Sequence, residues 1–156
     1  MDPGSKAPGF SALAAVSGRV VSPETLAGKR AVLVFHGVKT QDAPKEVGKA
    51  VRVKWPDAGQ VVVANIVDLR SMAGVWRRVA EAQIKATYEK MAGKVTAGDP
   101  ADYVLICPDW ENQVAPLFGV PDPNAQAGIA VLDPSGKVLG VRTGSGLGEQ
   151  ALSLLG

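Results

Sequence analysis

Hydrophobic and polar positions fall into blocks along this chain, and the period changes from block to block. Ala31-Val32-Leu33-Val34-Phe35 is a continuous apolar run, and Gln60–Val67 is a second one rich in β-branched residues. Runs of that length without polar alternation predict strands buried on both faces, as in a parallel sheet. Tyr103–Cys107 predicts a third. Between them the spacing turns helical. Asp42, followed by Pro44, caps a helix running to about Trp55, with Val47, Ala50 and Val51 on its apolar side and Lys45, Lys49 and Arg52 on another face. Ser71 caps the longest predicted helix, whose stripe of Met72, Val75, Trp76, Val79, Ala80, Ile84, Tyr88 and Met91 continues until Gly93. Glu111–Phe118 predicts a short helix ended by Gly119. Ile129–Leu132 and Lys137–Val141 flank the turn Asp133-Pro134-Ser135-Gly136 and predict a hairpin, and Glu149–Leu155 predicts a closing helix. At the start of the chain, Ala12–Val16 and Val20-Val21 read as short strands around Ser17-Gly18. Ser22 and Pro23 then open a single helical turn that Gly28 follows.

Strands alternating with helices argue an α/β fold built on a largely parallel sheet with both faces covered. The terminal hairpin adds an antiparallel edge. The expectation is a three-layer α/β/α sandwich: a mixed central sheet, an N-terminal β extension and a terminal β-hairpin, in one domain of 156 residues. Composition narrows the chemistry. Seventeen Lys and Arg against fifteen Asp and Glu leave a formal charge of +2, too little for charge-driven binding to nucleic acid or an anionic membrane. A single cysteine excludes an internal disulfide and any multi-cysteine metal framework, and a single histidine excludes a two-histidine motif. No stretch approaches the roughly 20 apolar residues of a membrane helix. The expected location is cytoplasmic if the chain is complete and extracytoplasmic if a leader has been removed. Gly144–Gly148 is glycine-rich but follows the last strand and lacks phosphate-cradling or dinucleotide spacing, so no cofactor is expected.

Several stretches resemble the redoxin branch of the thioredoxin-like superfamily, the peroxiredoxin-type and TlpA/ResA-type domains. Ala7-Pro8-x-Phe10 is similar to the opening A-P-D-F, and Gly18-x-x-Val21 through Leu26-x-Gly28-Lys29 to the segment that follows it. Val32–Phe35 resembles the first core strand, Asp109 through Gly119-Val120 the "D-x-x-x-x-V-A-x-x-Y-G-V" segment, and Val131-Leu132-Asp133-x-x-Gly136-Lys137-Val138 the closing "F-L-I-D-x-x-G-K-V". These matches keep their order from residue 7 to about residue 144. The resemblance implies a thioredoxin-like fold, and it implies a redox site that this chain lacks. Where a TlpA-type member carries C-x-x-C-x-x-E, the gapless alignment places Thr40, Ala43 and Glu46. A peroxiredoxin-style alignment puts the peroxidatic cysteine at Ala43 or Pro44, and the family's cis-proline corresponds to Ala127. Thiol–disulfide exchange needs a thiolate, which a threonine hydroxyl cannot replace.

The leading expectation is therefore a redox-inactive redoxin that binds an unknown protein or small-molecule ligand through its degenerate edge. Candidate contacts are His36, Gln41, Asp42, Asp109 and Trp110. Asp42 also reads more simply as an N-cap, and His36 as a satisfied polar residue at a loop start. A metal would require Asp42, Glu46, Asp68 or Asp109 to converge on His36, and no spacing demands it, so no metal is expected. Cys107 supports the rival reading, a one-cysteine peroxidase or thiol-disulfide oxidoreductase, with His36 as a nearby acid–base group. Its plainer reading is a small apolar residue at a strand end. The resemblance also suggests a homodimer formed edge to edge.

Overall fold

The computed structural model describes residues 1–156. The apolar runs become β3 (Arg30–Gly37) and β4 (Val61–Asp68), which pair in parallel from Arg30↔Val61 to Gly37↔Asp68. β5 (Ile106–Asp109) continues the parallel set beside β4, and β6 (Gly128–Leu132) lies antiparallel on the other side of β3. The hairpin to β7 (Val138–Thr143) completes the order β5-β4-β3-β6-β7. Its turn is held by Asp133, whose carboxylate accepts from the Ser135 and Lys137 amides and from the Ser135 hydroxyl. The predicted N-terminal extension is a separate antiparallel pair, β1 (Ala12–Leu13) and β2 (Val20–Val21). It leads into the single turn α1 (Pro23–Leu26), where Ser22 and Thr25 cap each other reciprocally.

Side chains alternate across the sheet, so each strand feeds two cores. On one face Val32, Val34, Val61, Val63, Ile129 and Val131 pack under α2 (Asp42–Lys54) and α5 (Leu147–Leu155), which contribute Val47, Val51, Leu147 and Ala151. On the other face Leu33, Phe35, Ile66, Leu105 and Cys107 meet the N-terminal segment and Phe118, with Phe35 and Phe118 rings 5.4 Å apart. A third, smaller core lies at the β5 edge, where Ile84 and Tyr88 of α3 (Arg77–Ala92) cover Val67, Leu69 and Ile106. The two helices of the first face are tied by a hydrogen bond in which the Gly148 amide donates to Glu46 Oε2 at 2.7 Å. A carboxylate at the start of α5 satisfies an orphan amide and faces the positive end of the helix dipole.

Four local expectations give way. Asp42 is the first residue of α2 and makes no cap hydrogen bond; the position before it, Gln41, is helical in backbone and also uncapped by its side chain. Ser71 does not cap a helix, because the chain makes two 3₁₀ turns, Arg70–Met72 and Gly74–Trp76, before α3 begins at Arg77. Gly74 has φ +69°, which breaks the helical path and swings Val75 and Trp76 outward. Trp76, on the apolar stripe of that predicted helix, is 57% exposed. The third strand starts later than Tyr103, since Asp99 caps a helical turn, α4 (Pro100–Tyr103), with Pro100 in its first position. Glu111–Phe118 yields only a 3₁₀ turn, Ala115–Phe118, closed by Gly119 in the left-handed region. No helix is long and apolar enough to cross a membrane.

Candidate functional site

The carboxyl ends of parallel strands are where open α/β sheets place their sites, and here the ends of β3, β4 and β5 bring together Gly37, Asp68 and Asp109. The loop after β3 folds back on the segment before β6. Thr40, at the first cysteine position of the aligned redox motif, accepts a hydrogen bond from the Gly37 amide at 2.8 Å and donates to the Pro123 carbonyl at 2.7 Å. The Lys39 amide donates to Asn124 Oδ1 at 2.9 Å. Asn124 lies so close over Gly37 that a Cβ there would collide with its Oδ1. Ala43 sits half-buried in the first turn of α2, and Ala127 is buried before β6, its carbonyl accepting from the Gly144 amide. No peptide bond in the chain is cis. Thr40, Ala43 and Ala127 thus stand at one end of the sheet, and the Thr40 hydroxyl has both of its hydrogen-bonding roles filled.

The remaining predicted contacts divide. Gln41 and Asp42 are exposed on the loop and first helical turn, and the Gln41 amide donates to Val38 O. Asp109 is committed internally: its two oxygens accept from the Gln113 and Val114 amides at 3.0 and 2.9 Å and hold the turn after β5. It is therefore not a free ligand. Trp110, half-buried, carries the Arg77 guanidinium 4.4 Å above its ring. Asp68 is buried and is gripped by Arg70, whose Nε and Nη2 reach both of its oxygens, while Nη2 also meets Asp122. Of the basic residues on α2, Arg52 turns inward, donating to Val61 O and lying 5.3 Å above the Tyr103 ring, so the exposed basic face is narrower than its spacing implied.

His36 and Cys107 do not meet. His36 shares its face of β3 with Val32 and Val34, beneath the helices, whereas Cys107 belongs to the core on the opposite face. The acid–base pairing of the two is excluded by strand alternation. Cys107 is fully buried, and removal from water pushes its thiol up to about 12. His36 is also buried, and desolvation lowers it to about 4, so its imidazole is neutral at physiological pH. Asp42, Glu46, Asp68 and Asp109 form no group of three or more metal-ligating side chains with it.

His36 instead helps floor a cavity of about 180 Å³ between the sheet, α2 and α3. Val67 and Ile106 share that floor, Ala80 and Ile84 of α3 form a wall, and Lys45 stands at the margin. One further floor residue was passed over in the sequence. Asn65 lies in the middle of β4, and its Oδ1 is buried without a hydrogen-bond partner. The signal was visible as a lone amide inside the otherwise apolar run Val61–Val67.

Neither a protein-family model nor a curated protein matches the chain. Solved structures do. The pneumococcal exposed lipoprotein thioredoxin Etrx1 from Streptococcus pneumoniae aligns over 95% of this chain and 98% of its own, with a TM-score of 0.65 and 15% identity. The thioredoxin domain of a thiol-disulfide oxidoreductase from Bacteroides vulgatus aligns over 100% and 99%, at 0.63 and 17%. The mitochondrial 2-Cys peroxiredoxin from Plasmodium falciparum aligns over 97% and 91%, at 0.59 and 16%. At such identities the likeness carries the fold, and the fold of this chain is thioredoxin-like.

Proposed function

We propose that this thioredoxin-like chain is a redox-inactive binding module that engages a ligand or partner through its degenerate edge. The observation that carries the reading is the occupancy of the redox position. Thr40 supplies no thiol, and its hydroxyl bridges Gly37 and Pro123 rather than facing an incoming substrate. The rest of the site agrees. Ala43 and Ala127 stand where a resolving cysteine and the substrate-facing proline would be. The one thiol in the chain is enclosed in the opposite core, and with its pKa near 12 only about one molecule in 10⁵ would carry a thiolate at pH 7.

Alkylation of Cys107 across a pH series, with peroxide consumption followed in parallel, tests the reading. Labelling is expected only after denaturation, with peroxide turnover no greater than that of Cys107→Ser. Rapid labelling of the folded protein at neutral pH, together with turnover lost in Cys107→Ser, would overturn it and establish a one-cysteine enzyme.

A further inference from the structure

The floor of the cavity beneath α2 and α3 carries two polar side chains that the fold leaves partly or wholly unpaired. His36, 7% exposed, has one ring nitrogen, Nδ1, at a long 3.4 Å from the Gly37 carbonyl and no partner for Nε2. Asn65, its diagonal neighbour on the adjacent strand, makes no side-chain hydrogen bond at all, and its Oδ1 is sealed from solvent. Buried polar groups in folded proteins are almost always paired, so two neighbouring side chains with bonding capacity left open on one cavity floor, the Asn65 amide and His36 Nε2, point to a group that completes the site.

The surroundings restrict what that group can be. Val67, Ile106 and Ile84 give the cavity a mainly apolar interior, with Gln41, Gln83 and Thr87 also lining it, and its volume of about 180 Å³ is on the scale of a single six-membered ring, since an apolar cavity of roughly 150 Å³ accepts benzene. The floor itself is uncharged. Asn65 cannot ionise, and burial keeps His36 neutral above about pH 4. An anion seated there would lose its hydration against neutral partners, the only charged group lining the cavity being Lys45, which is exposed. A neutral amide and a neutral imidazole each offer one donor and one acceptor group. A hydroxyl both donates and accepts, and so matches them whichever imidazole nitrogen carries the proton.

We propose that this cavity binds a small neutral phenol, its ring packed on Val67, Ile106 and Ile84 and its hydroxyl set between Asn65 Nδ2 and His36 Nε2, the two polar atoms there that remain open. The proposal rests on the reading of the chain as a binding module and gives that module a ligand class.

The test is titration of the full chain with phenol and with toluene, which has nearly the same shape but a methyl group in place of the hydroxyl, each followed by ligand-observed NMR and calorimetry. Phenol is expected to bind at least tenfold more tightly than toluene. In Asn65→Leu the preference is expected to reverse, with Asn65→Val as the second variant should leucine overfill the site. Equal affinities, tighter toluene binding by the native chain, no binding of either at millimolar concentration, or an unchanged preference in both Asn65 variants would overturn the assignment. The wild-type comparison alone decides if neither variant folds. Peroxide turnover by Cys107 would overturn the binding-module reading through a separate assay, so the two failures are distinguishable.

Discussion

Replacing Thr40 by valine removes a hydroxyl and keeps the branched shape, which isolates the two hydrogen bonds that close the loop after β3. The Gly37 amide loses its acceptor at 2.8 Å and the Pro123 carbonyl its donor at 2.7 Å, and both residues are buried. A buried polar group left unpaired costs about 1–3 kcal/mol. Thr40 itself is only half-buried, which lets water reach part of the gap, so the low end applies to each partner and the total comes to about 2 kcal/mol. For a domain of this length that corresponds to a fall in Tm of roughly 4–8 °C. Thr40→Ser keeps the hydroxyl and should stay within about 0.5 kcal/mol of the parent, the range of an ordinary surface change. Urea unfolding followed by circular dichroism measures both, and amide exchange at Gly37 reports the local opening. If Thr40→Val unfolds at the same urea concentration as Thr40→Ser, the loop is not held by this hydroxyl and the account of the closed redox position fails.

Two further outcomes follow from other groups. His36 is neutral when folded down to about pH 4 but has its ordinary value of 6.5 when unfolded, so the unfolded chain takes up a proton first. Stability is then fully present above pH 6.5 and falls between pH 6.5 and 4, by up to roughly 3 kcal/mol. His36→Gln should flatten that limb of the stability–pH curve, and identical slopes for the two proteins would refute the assignment. Glu46→Ala deprives the Gly148 amide of its acceptor and the start of α5 of a negative charge, which should cost about 1 kcal/mol and speed exchange at Gly148 without affecting β4 or β5.

The parts of the fold that could be read directly are those whose local and global preferences coincide. Ala31–Phe35 and Gln60–Val67 have no polar alternation and became the two central strands; the Asp133–Gly136 turn is fixed by its own side chains; and Gly28 and Gly119 both take positive φ. Sequence pattern and structure part where two local signals overlap. Met72, Val75 and Trp76 keep helical spacing with the residues after them, but Gly74 interrupts the helix, and Val75 ends 87% exposed. Asp99-Pro100 is a helix-start signal hidden beside an apolar run, and it removed Tyr103 from the strand. The site was harder, because it depends on register. Whether Cys107 and His36 face one another turns on which residues pair across β3, β4 and β5, and a shift of one position reverses the answer. Thr40, Ala43 and Ala127 are readable as residue types, while the bridge from Thr40 to Pro123 joins segments 83 residues apart and leaves no local trace.

The seating of Asn124 over Gly37 bears on what a single substitution at this end of the sheet can do. A cysteine placed at position 40 would exchange a strong oxygen acceptor and donor for weak sulfur ones. The segment from Pro123 to Asn124 would still lie over Gly37, held by the Lys39 amide. A second cysteine at position 43 would not move it. An open side chain at position 40 would therefore need changes on both sides of the sheet end, in the loop after β3 and in the segment before β6. The two segments act as a latch with two keepers, and releasing one leaves the other in place.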